Sequence, residues 1–233
     1  MSLLAAFFIT LILSIVWLRT IDFFAIKGII SKKLSRKIIH IGTGPIFVLC
    51  WMFFPEHDHS RYVAAVVPFL ITIQFFLIGI GVIKDQASVD AMSRTGDPKE
   101  ILRGPFFYGI VFVIITIFFW RDTPIGIIAL MILSGGDGFA DIVGRRVPSL
   151  ALKWSPSKSV AGTLAMFFGG TIISFLVLLI FHNSGYLKLN FTDLFPKILL
   201  LNIIATIVES LPIKDWDNIT VPVVVILTGL LVF

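Results

Sequence analysis

Long, continuous runs of apolar residues divide this 233-residue chain. A helix that crosses a lipid bilayer needs about 20 mostly apolar residues, with a lower limit near 17. Runs close to that length fall at 2–18, 38–54, 62–83, 105–120, 124–143, 160–181, 195–211 and 219–233. They are continuously apolar rather than alternating, so helices are favoured over barrel strands. The sequence therefore predicts an all-α, polytopic transmembrane helix bundle with seven or eight spans.

The composition excludes ordinary soluble and disordered proteins. Hydrophobic residues make up 57% of the chain, charged residues only 14%, and the mean hydropathy is +1.00. An average soluble domain has about 25% charged residues, and a soluble fold this apolar would expose patches that aggregate. No composition shift marks a separate soluble domain, so residues 1–233 are predicted to form a single integral membrane domain.

The positive residues predict the orientation. With eight spans and the N-terminus outside, the inner loops hold 15 of the 19 Lys and Arg residues. Cytoplasmic loops of membrane proteins carry such an excess. We therefore predict a multi-pass protein with its N-terminus outside and its active face cytoplasmic, or stromal in a plastid. The long polar loops on that face are 19–37, 84–104, 144–159 and 210–218.

The most informative polar stretch, 134–146, ends the fifth predicted span. Asp137 and Asp141 are four residues apart and therefore share one helix face. Two carboxylates at membrane depth are costly to desolvate and repel each other, so a positive group must lie beside them. A divalent cation such as Mg²⁺ is one candidate. Arg145, four residues beyond Asp141, is the other, as a simple ion pair at the helix end. Gly135, Gly136 and Gly138 suggest close approach of backbone or ligand.

A second polar stretch, 154–163, leads directly into the sixth predicted span. Ser157, Lys158 and Ser159 precede the helix, where free N–H groups and the helix dipole favour an anion. The ammonium group of Lys158 suits phosphate. The alternative is an ordinary serine cap with a lysine that reaches to the interface. The spacing of a P-loop is missing.

Three further polar segments lie on the same predicted face. His40 follows two cations and shares a helix face with one of them, so it could accept a proton, donate to phosphate, or have no catalytic role. Arg103 precedes the fourth span. Glu209 ends the seventh span and needs a partner there. Asp215 and Asp217 follow it and could simply belong to a solvated loop.

Together these segments resemble the phytol kinase and dolichol kinase family. The matching motifs are Arg36-Lys37-x-x-His40, Ser93-Arg94-x-Gly96-Asp97 with Arg103-Gly104-Pro105-x-x-Tyr108, Gly136-Asp137-x-x-Ala140-Asp141-x-x-Gly144-Arg145, Lys158-Ser159-x-x-Gly162-Thr163, and Glu209-Ser210 with Asp217-Asn218-x-x-x-Pro222. Each motif is short, but the five occur in order and on one predicted face. They cover about 36–222, nearly the whole chain.

The resemblance implies a multi-pass kinase that transfers a phosphoryl group from CTP to an isoprenoid alcohol of the phytol, farnesol or geranylgeraniol type. The paired aspartates favour Mg²⁺ as the cofactor of such a reaction, with the alcohol entering from the lipid bilayer. This chain departs from the family at Ala161, where polyprenol kinases often carry a glutamate. If that glutamate binds metal in relatives, Asp137, Asp141 or Glu209 must do so here.

These observations give a specific hypothesis for the site. The predicted metal ligands are Asp137, Asp141 and Glu209, and the predicted catalytic residues are Asp137, Asp141, Lys158 and His40. Asp137 is the first choice for accepting the proton of the alcohol, with His40 as the alternative. The residues predicted to bind the nucleotide are Arg103, Arg145, Ser157, Ser159, Gly162 and Thr163.

Two other functions remain open at this point. A cytidylyltransferase that forms a CDP-lipid would use the same cations and metal. A membrane transporter would instead place charged residues along a path through the midplane or repeat a broken helix in two halves. The ionisable residues of this chain gather on one face, which favours an enzyme.

Overall fold

The computed structural model describes residues 1–93, 95–213 and 216–233. Arg94, Lys214 and Asp215, which belong to the polar loops discussed above, lie outside the described residues. The α-helices are α1 (Leu3–Ile26), α2 (Lys32–Cys50), α3 (Ser60–Gly79), α4 (Gln86–Met92), α5 (Gly104–Phe118), α6 (Pro124–Met131), α7 (Asp137–Arg146), α8 (Val160–Asn183), α9 (Phe191–Ser210) and α10 (Asp217–Val232). Short 3₁₀ helices cover Trp51–Phe53 and Pro98–Leu102.

The prediction of an all-α polytopic bundle is confirmed. Within the described part of the chain, six helical segments are long and apolar enough to cross a membrane. They are Leu3–Ile26, Ser60–Gly79, Pro98–Phe118, Pro124–Arg146, Val160–Asn183 and Phe191–Ser210. The two other predicted spans are also helical: α2 opens with charged residues, and α10 has only 16 residues.

The helices bring their polar termini together at two ends of the bundle. We call the end at which α2, α5, α8 and α10 begin the motif end. An ion pair joins α2 to α7 there, and another joins the start of α8 to the end of α9. At the opposite end, Arg121 is 6% exposed and donates to the carbonyl oxygens of Trp51 (2.6 Å) and Phe54 (2.9 Å). The motif segments therefore converge at one end.

The segment Pro124–Arg146 forms the centre of the bundle. Its residues from Ile127 to Ile132 have no exposed surface, whereas α1 is largely exposed. A π-helical turn, Ile132–Gly136, connects α6 to α7 within this segment. Such turns insert an extra residue into a helix and often occur at functional sites. Here the turn leads from the apolar core directly to Asp137.

The glycines beside Asp137 serve helix packing. A Cβ atom on Gly138 would lie 2.1 Å from Cγ1 of Ile41 on α2. On Gly135 it would lie 2.5 Å from Cδ1 of Ile173 on α8. The sequence suggested close approach of backbone or ligand at these glycines, and the neighbours in the structure are side chains of adjacent helices.

A small hairpin connects α7 to α8 at the motif end. Strands β1 (Ala151–Leu152) and β2 (Ser155–Ser159) pair antiparallel. These strands were not predicted from the sequence. Ser159 ends β2 and caps α8, because its Oγ accepts a hydrogen bond from the backbone N–H of Gly162 at 3.3 Å.

Candidate active site

The carboxylate of Asp137 lies against two side chains of α2. Its Oδ2 is 3.3 Å from Nζ of Lys37 and 3.2 Å from Nε2 of His40. Lys37 and His40 are three residues apart, so they project from the same face of α2. The side chains of Asp137 and Lys37 are 21% and 17% exposed. This is a largely buried ion pair, and removing one partner would leave the other uncompensated.

The surroundings of His40 indicate which ring nitrogen carries a proton. Its Nε2 lies 3.2 Å from the carbonyl oxygen of Leu133 as well as 3.2 Å from Asp137 Oδ2. Both neighbours accept hydrogen bonds, so Nε2 must be protonated and donates to them. Only Nδ1 is then able to accept a proton. The ring of Tyr108 packs against the His40 ring at a tilt of 42°, with the centroids 4.5 Å apart, and the Tyr108 hydroxyl donates to the backbone oxygen of His40.

Asp141 lies one turn beyond Asp137 and has different partners. Its Oδ1 is 2.7 Å from Nε of Arg145, and its Oδ2 is 3.8 Å from Nζ of Lys37. The ion pair that the sequence offered as an alternative is therefore present. The ammonium group of Lys37 lies beside both aspartates and supplies the positive charge that their spacing requires.

Lys158 and Glu209, both predicted site residues, form a second pair. Nζ of Lys158 is 2.7 Å from Oε1 of Glu209 and also contacts the backbone oxygen of Glu209. Glu209 is 8% exposed, at the end of α9. The partner that a carboxylate at this depth requires is thus Lys158, which lies 51 residues earlier in the chain.

A narrow crevice between α7, α8, α9 and α10 joins the two pairs. Its lining residues are Leu133, Asp137, Met166, Glu209, Asp217, Asn218 and Val221, and in this structure it is too tight to hold a water molecule. The lining of the crevice combines three apolar side chains with three carboxylate residues. Asp141 does not line it. Asp217, which the sequence left as a candidate for a solvated loop, begins α10 and faces this crevice. The signal that could have identified it is the Asp-Asn pair at the start of an apolar run.

The first N–H groups of α8 are already bonded to protein. The N–H of Val160 donates to the carbonyl of Leu150 at 2.9 Å, and that of Ala161 donates to Oγ of Ser149 at 3.0 Å. The hydroxyl of Thr163 donates to the backbone oxygen of Ser159. Ser157 is exposed. A phosphate at this terminus would have to replace some of these bonds.

Arg103 and Arg145, two further predicted residues, do not line the crevice. Arg103 immediately precedes α5, and the next residue, Gly104, accepts a hydrogen bond from Nδ2 of Asn218 at 3.2 Å. Arg145 lies in the last turn of α7 and is 59% exposed. Gly162 packs against α7, since a Cβ atom there would lie 3.3 Å from Cα of Gly144.

The donor chemistry of the crevice fits a magnesium ion, although no ready-made cluster exists. Among residues 1–93, 95–213 and 216–233, no three His, Cys, Asp or Glu side chains are close enough to hold a metal. Mg²⁺ prefers a few carboxylate oxygens together with water and substrate phosphate. The carboxylates that face the crevice are Asp137, Glu209 and Asp217. The first two each pair with a lysine, so binding a cation would require these lysines to move to other partners.

The fold and the site define an integral membrane protein with lysine–carboxylate pairs around a crevice at one end of its helix bundle. Three plant proteins are similar along nearly the whole chain. The chain is 42% identical over 217 residues to a probable phytol kinase, chloroplastic, of Triticum aestivum, covering 92% of this chain and 72% of that protein. It is 40% identical to a probable phytol kinase, chloroplastic, of Zea mays, with the same coverage. It is 38% identical over 209 residues to phytol kinase 1, chloroplastic, of Arabidopsis thaliana, covering 89% and 69%.

The chain therefore belongs to the phytol kinase family, and the resemblance drawn from its motifs is confirmed. Membership makes it a phosphotransferase that acts on an alcohol group. No protein-family model matches the chain. No solved structure matches it either.

Proposed function

We propose that this protein transfers the γ-phosphoryl group of CTP to the hydroxyl group of an isoprenoid alcohol, with phytol as the first candidate. The observation that carries the proposal is the crevice at the motif end, which is lined by both Asp137 and Glu209, each paired with a lysine, Lys37 or Lys158. The relatives named phytol kinase support the acceptor, and the motif resemblance supports CTP.

The reaction exchanges one phosphorus–oxygen bond for another. The hydroxyl oxygen of the alcohol attacks the γ-phosphorus, the bond to the β–γ bridging oxygen breaks, and CDP leaves with the bonding electrons. The proton of the hydroxyl passes to a carboxylate oxygen of Asp137, which faces the crevice. His40 instead holds that carboxylate through its Nε2 proton. Phosphoryl transfer depends mainly on positioning and charge neutralisation, so the carboxylate does not need to be a strong base.

The lysines supply positive charge for the triphosphate. In the structure Lys158 neutralises Glu209, and Lys37 neutralises Asp137. When a nucleotide enters, its phosphate oxygens can replace these carboxylates as partners of the ammonium groups. The ammonium groups would then stabilise charge on the transferred group and on CDP. Arg103 and Arg145 would bind the outer phosphates.

The carboxylates released in this exchange would hold Mg²⁺. From the sequence, Asp137, Asp141 and Glu209 were expected to do so. The crevice favours Asp137, Glu209 and Asp217, because Asp141 points toward Arg145. When bound, the ion neutralises charge on the phosphate oxygens.

The alcohol would come from the bilayer. Leu133, Met166 and Val221 are the apolar residues of the crevice lining. The first carbons of an isoprenoid chain would contact these side chains while the hydroxyl group faces Asp137. We further propose that the motif end faces the cytoplasm, or the stroma in a plastid, with the N-terminus on the other side. The distribution of Lys and Arg supports this orientation.

Product analysis tests the proposal. Purified protein in detergent would be incubated with Mg²⁺, CTP labelled in the γ-phosphate, and phytol, farnesol or geranylgeraniol. We expect a labelled lipid monophosphate and free CDP, with ATP serving less well. Pyrophosphate and a CDP-lipid, formed from a phosphorylated lipid, would instead identify a cytidylyltransferase. Failure to label any of the alcohols would refute the kinase assignment.

A further inference from the structure

The hairpin that carries Lys158 is attached to the end of α9 at two neighbouring residues. Lys158, on β2, pairs with Glu209. Trp154, at the turn of the hairpin, donates its indole N–H to the backbone oxygen of Ser210 at 3.1 Å and lies 3.3 Å from Ser210 Oγ. One attachment is thus an ion pair at the crevice, and the other is a hydrogen bond next to it.

Burial does not explain the position of Trp154. Its side chain is 58% exposed, although tryptophan is strongly apolar. An isolated two-stranded hairpin is at best marginally stable in water. The hairpin formed by β1 and β2 therefore depends on its tertiary contacts to hold a defined position, and with it the position of the lysine.

The two attachments behave differently during the proposed reaction. Lys158 must leave Glu209 when its ammonium group binds phosphate, so the ion pair is lost at the moment when the position of the lysine matters. The hydrogen bond from Trp154 to Ser210 involves no group that binds substrate. It can persist and keep the hairpin on α9.

We infer that Trp154 is a positioning residue that holds Lys158 at the crevice for the phosphates of the nucleotide. The inference rests on the proposed function, since it assumes that Lys158 binds phosphate. Trp154 itself touches no reacting atom. It acts through the hairpin, so its replacement should affect nucleotide affinity more than alcohol affinity.

The test is Trp154→Phe, which removes the indole N–H and keeps an apolar ring at the interface. A hydrogen bond of this kind is worth roughly three- to tenfold in an equilibrium constant. We therefore expect the Kd for radiolabelled CTP to rise about three- to tenfold, with the KM for phytol unchanged. Trp216→Phe is the matched control: Trp216 is also exposed at the motif end, at 54%, and its ring stacks on Phe107. We expect no change in CTP affinity there.

A double-mutant cycle separates positioning from a general structural role. In a Lys158→Met background, Trp154→Phe should weaken CTP binding little further, because the group that it positions is gone. Equal losses in both backgrounds would overturn the inference, as would unchanged CTP affinity in Trp154→Phe alone. A wild-type protein that does not bind CTP would refute the proposed function itself, and the inference with it.

Discussion

Replacing Asp137 with asparagine separates its chemical role from its structural one. The asparagine carbonyl can still accept the hydrogen bond from His40. Lys37 loses a partner whose attraction at 3.3 Å amounts to roughly 5 kcal/mol at an effective dielectric constant of about 20, before desolvation is subtracted. It retains Asp141 at 3.8 Å, where the same estimate gives roughly 4 kcal/mol. Because the lysine keeps a counter-charge, we expect a loss in stability of only about 1–2 kcal/mol.

The effect on activity should be much larger. A carboxylate that accepts the proton and holds the cation acts at the reacting centre, and its loss should lower kcat about a hundredfold or more. The assay is the initial rate of phytol phosphorylation by purified protein, with thermal unfolding in the same detergent measured alongside. Near-normal activity of Asp137→Asn would refute the assignment of Asp137.

Asp141→Asn provides the matched comparison, since it removes the same charge one helical turn away. Asp141 pairs with the exposed Arg145 and does not line the crevice. If the crevice is the catalytic centre, this variant should lose clearly less activity than Asp137→Asn. Comparable losses would instead favour the metal pair of Asp137 and Asp141 that the sequence suggested.

Three further substitutions test separate parts of the structure. Lys158→Met should abolish phosphorylation and lower the free energy of unfolding by about 3 kcal/mol, because it leaves Glu209 buried and unpaired. Adding Glu209→Gln to this variant should restore the unfolding temperature without restoring activity. Gly138→Ala should lower the free energy of unfolding by about 1–3 kcal/mol, because the new Cβ atom would clash with Ile41. An unchanged unfolding temperature would contradict this packing. Arg121→Met should lower the free energy of unfolding by about 2–4 kcal/mol, and with it the unfolding temperature, because buried carbonyls lose their donor. The KM values for both substrates should stay unchanged, and a raised KM would show that this end of the bundle influences the site.

Much of the fold could be predicted because the thickness of a bilayer sets the length of an apolar helix. All eight predicted runs are helical in the structure. The boundaries were less predictable where polar residues belong to a helix. The second run was predicted to begin at residue 38, yet α2 begins at Lys32, because Ser31 caps it and its first turns are charged and amphipathic. A search for apolar runs does not include such charged turns in the predicted helix.

The residues of the site could be predicted from their type and position, but the contacts between them could be predicted only in part. The sequence could show that buried carboxylates at 137 and 209 need positive neighbours. It could not show that these neighbours are Lys37 and Lys158. Lys37 and Asp137 are separated by 100 residues, and the packing of distant helices determines which side chains come into contact. The sequence also left the role of the glycines beside Asp137 undecided, because close helix packing and close approach of a ligand both require a residue without a side chain.

If the proposed function holds, the two lysine–carboxylate pairs are charges placed in advance for a substrate. A largely buried ion pair seldom adds net stability, because desolvation offsets most of the attraction. A bundle that needed only stability could fill these positions with apolar side chains. Both pairs instead lie at one crevice, where each holds one charge suited to phosphate and one suited to a metal ion. Under the proposed function, a metal-bound triphosphate could exchange partners with both pairs without leaving a charge unpaired.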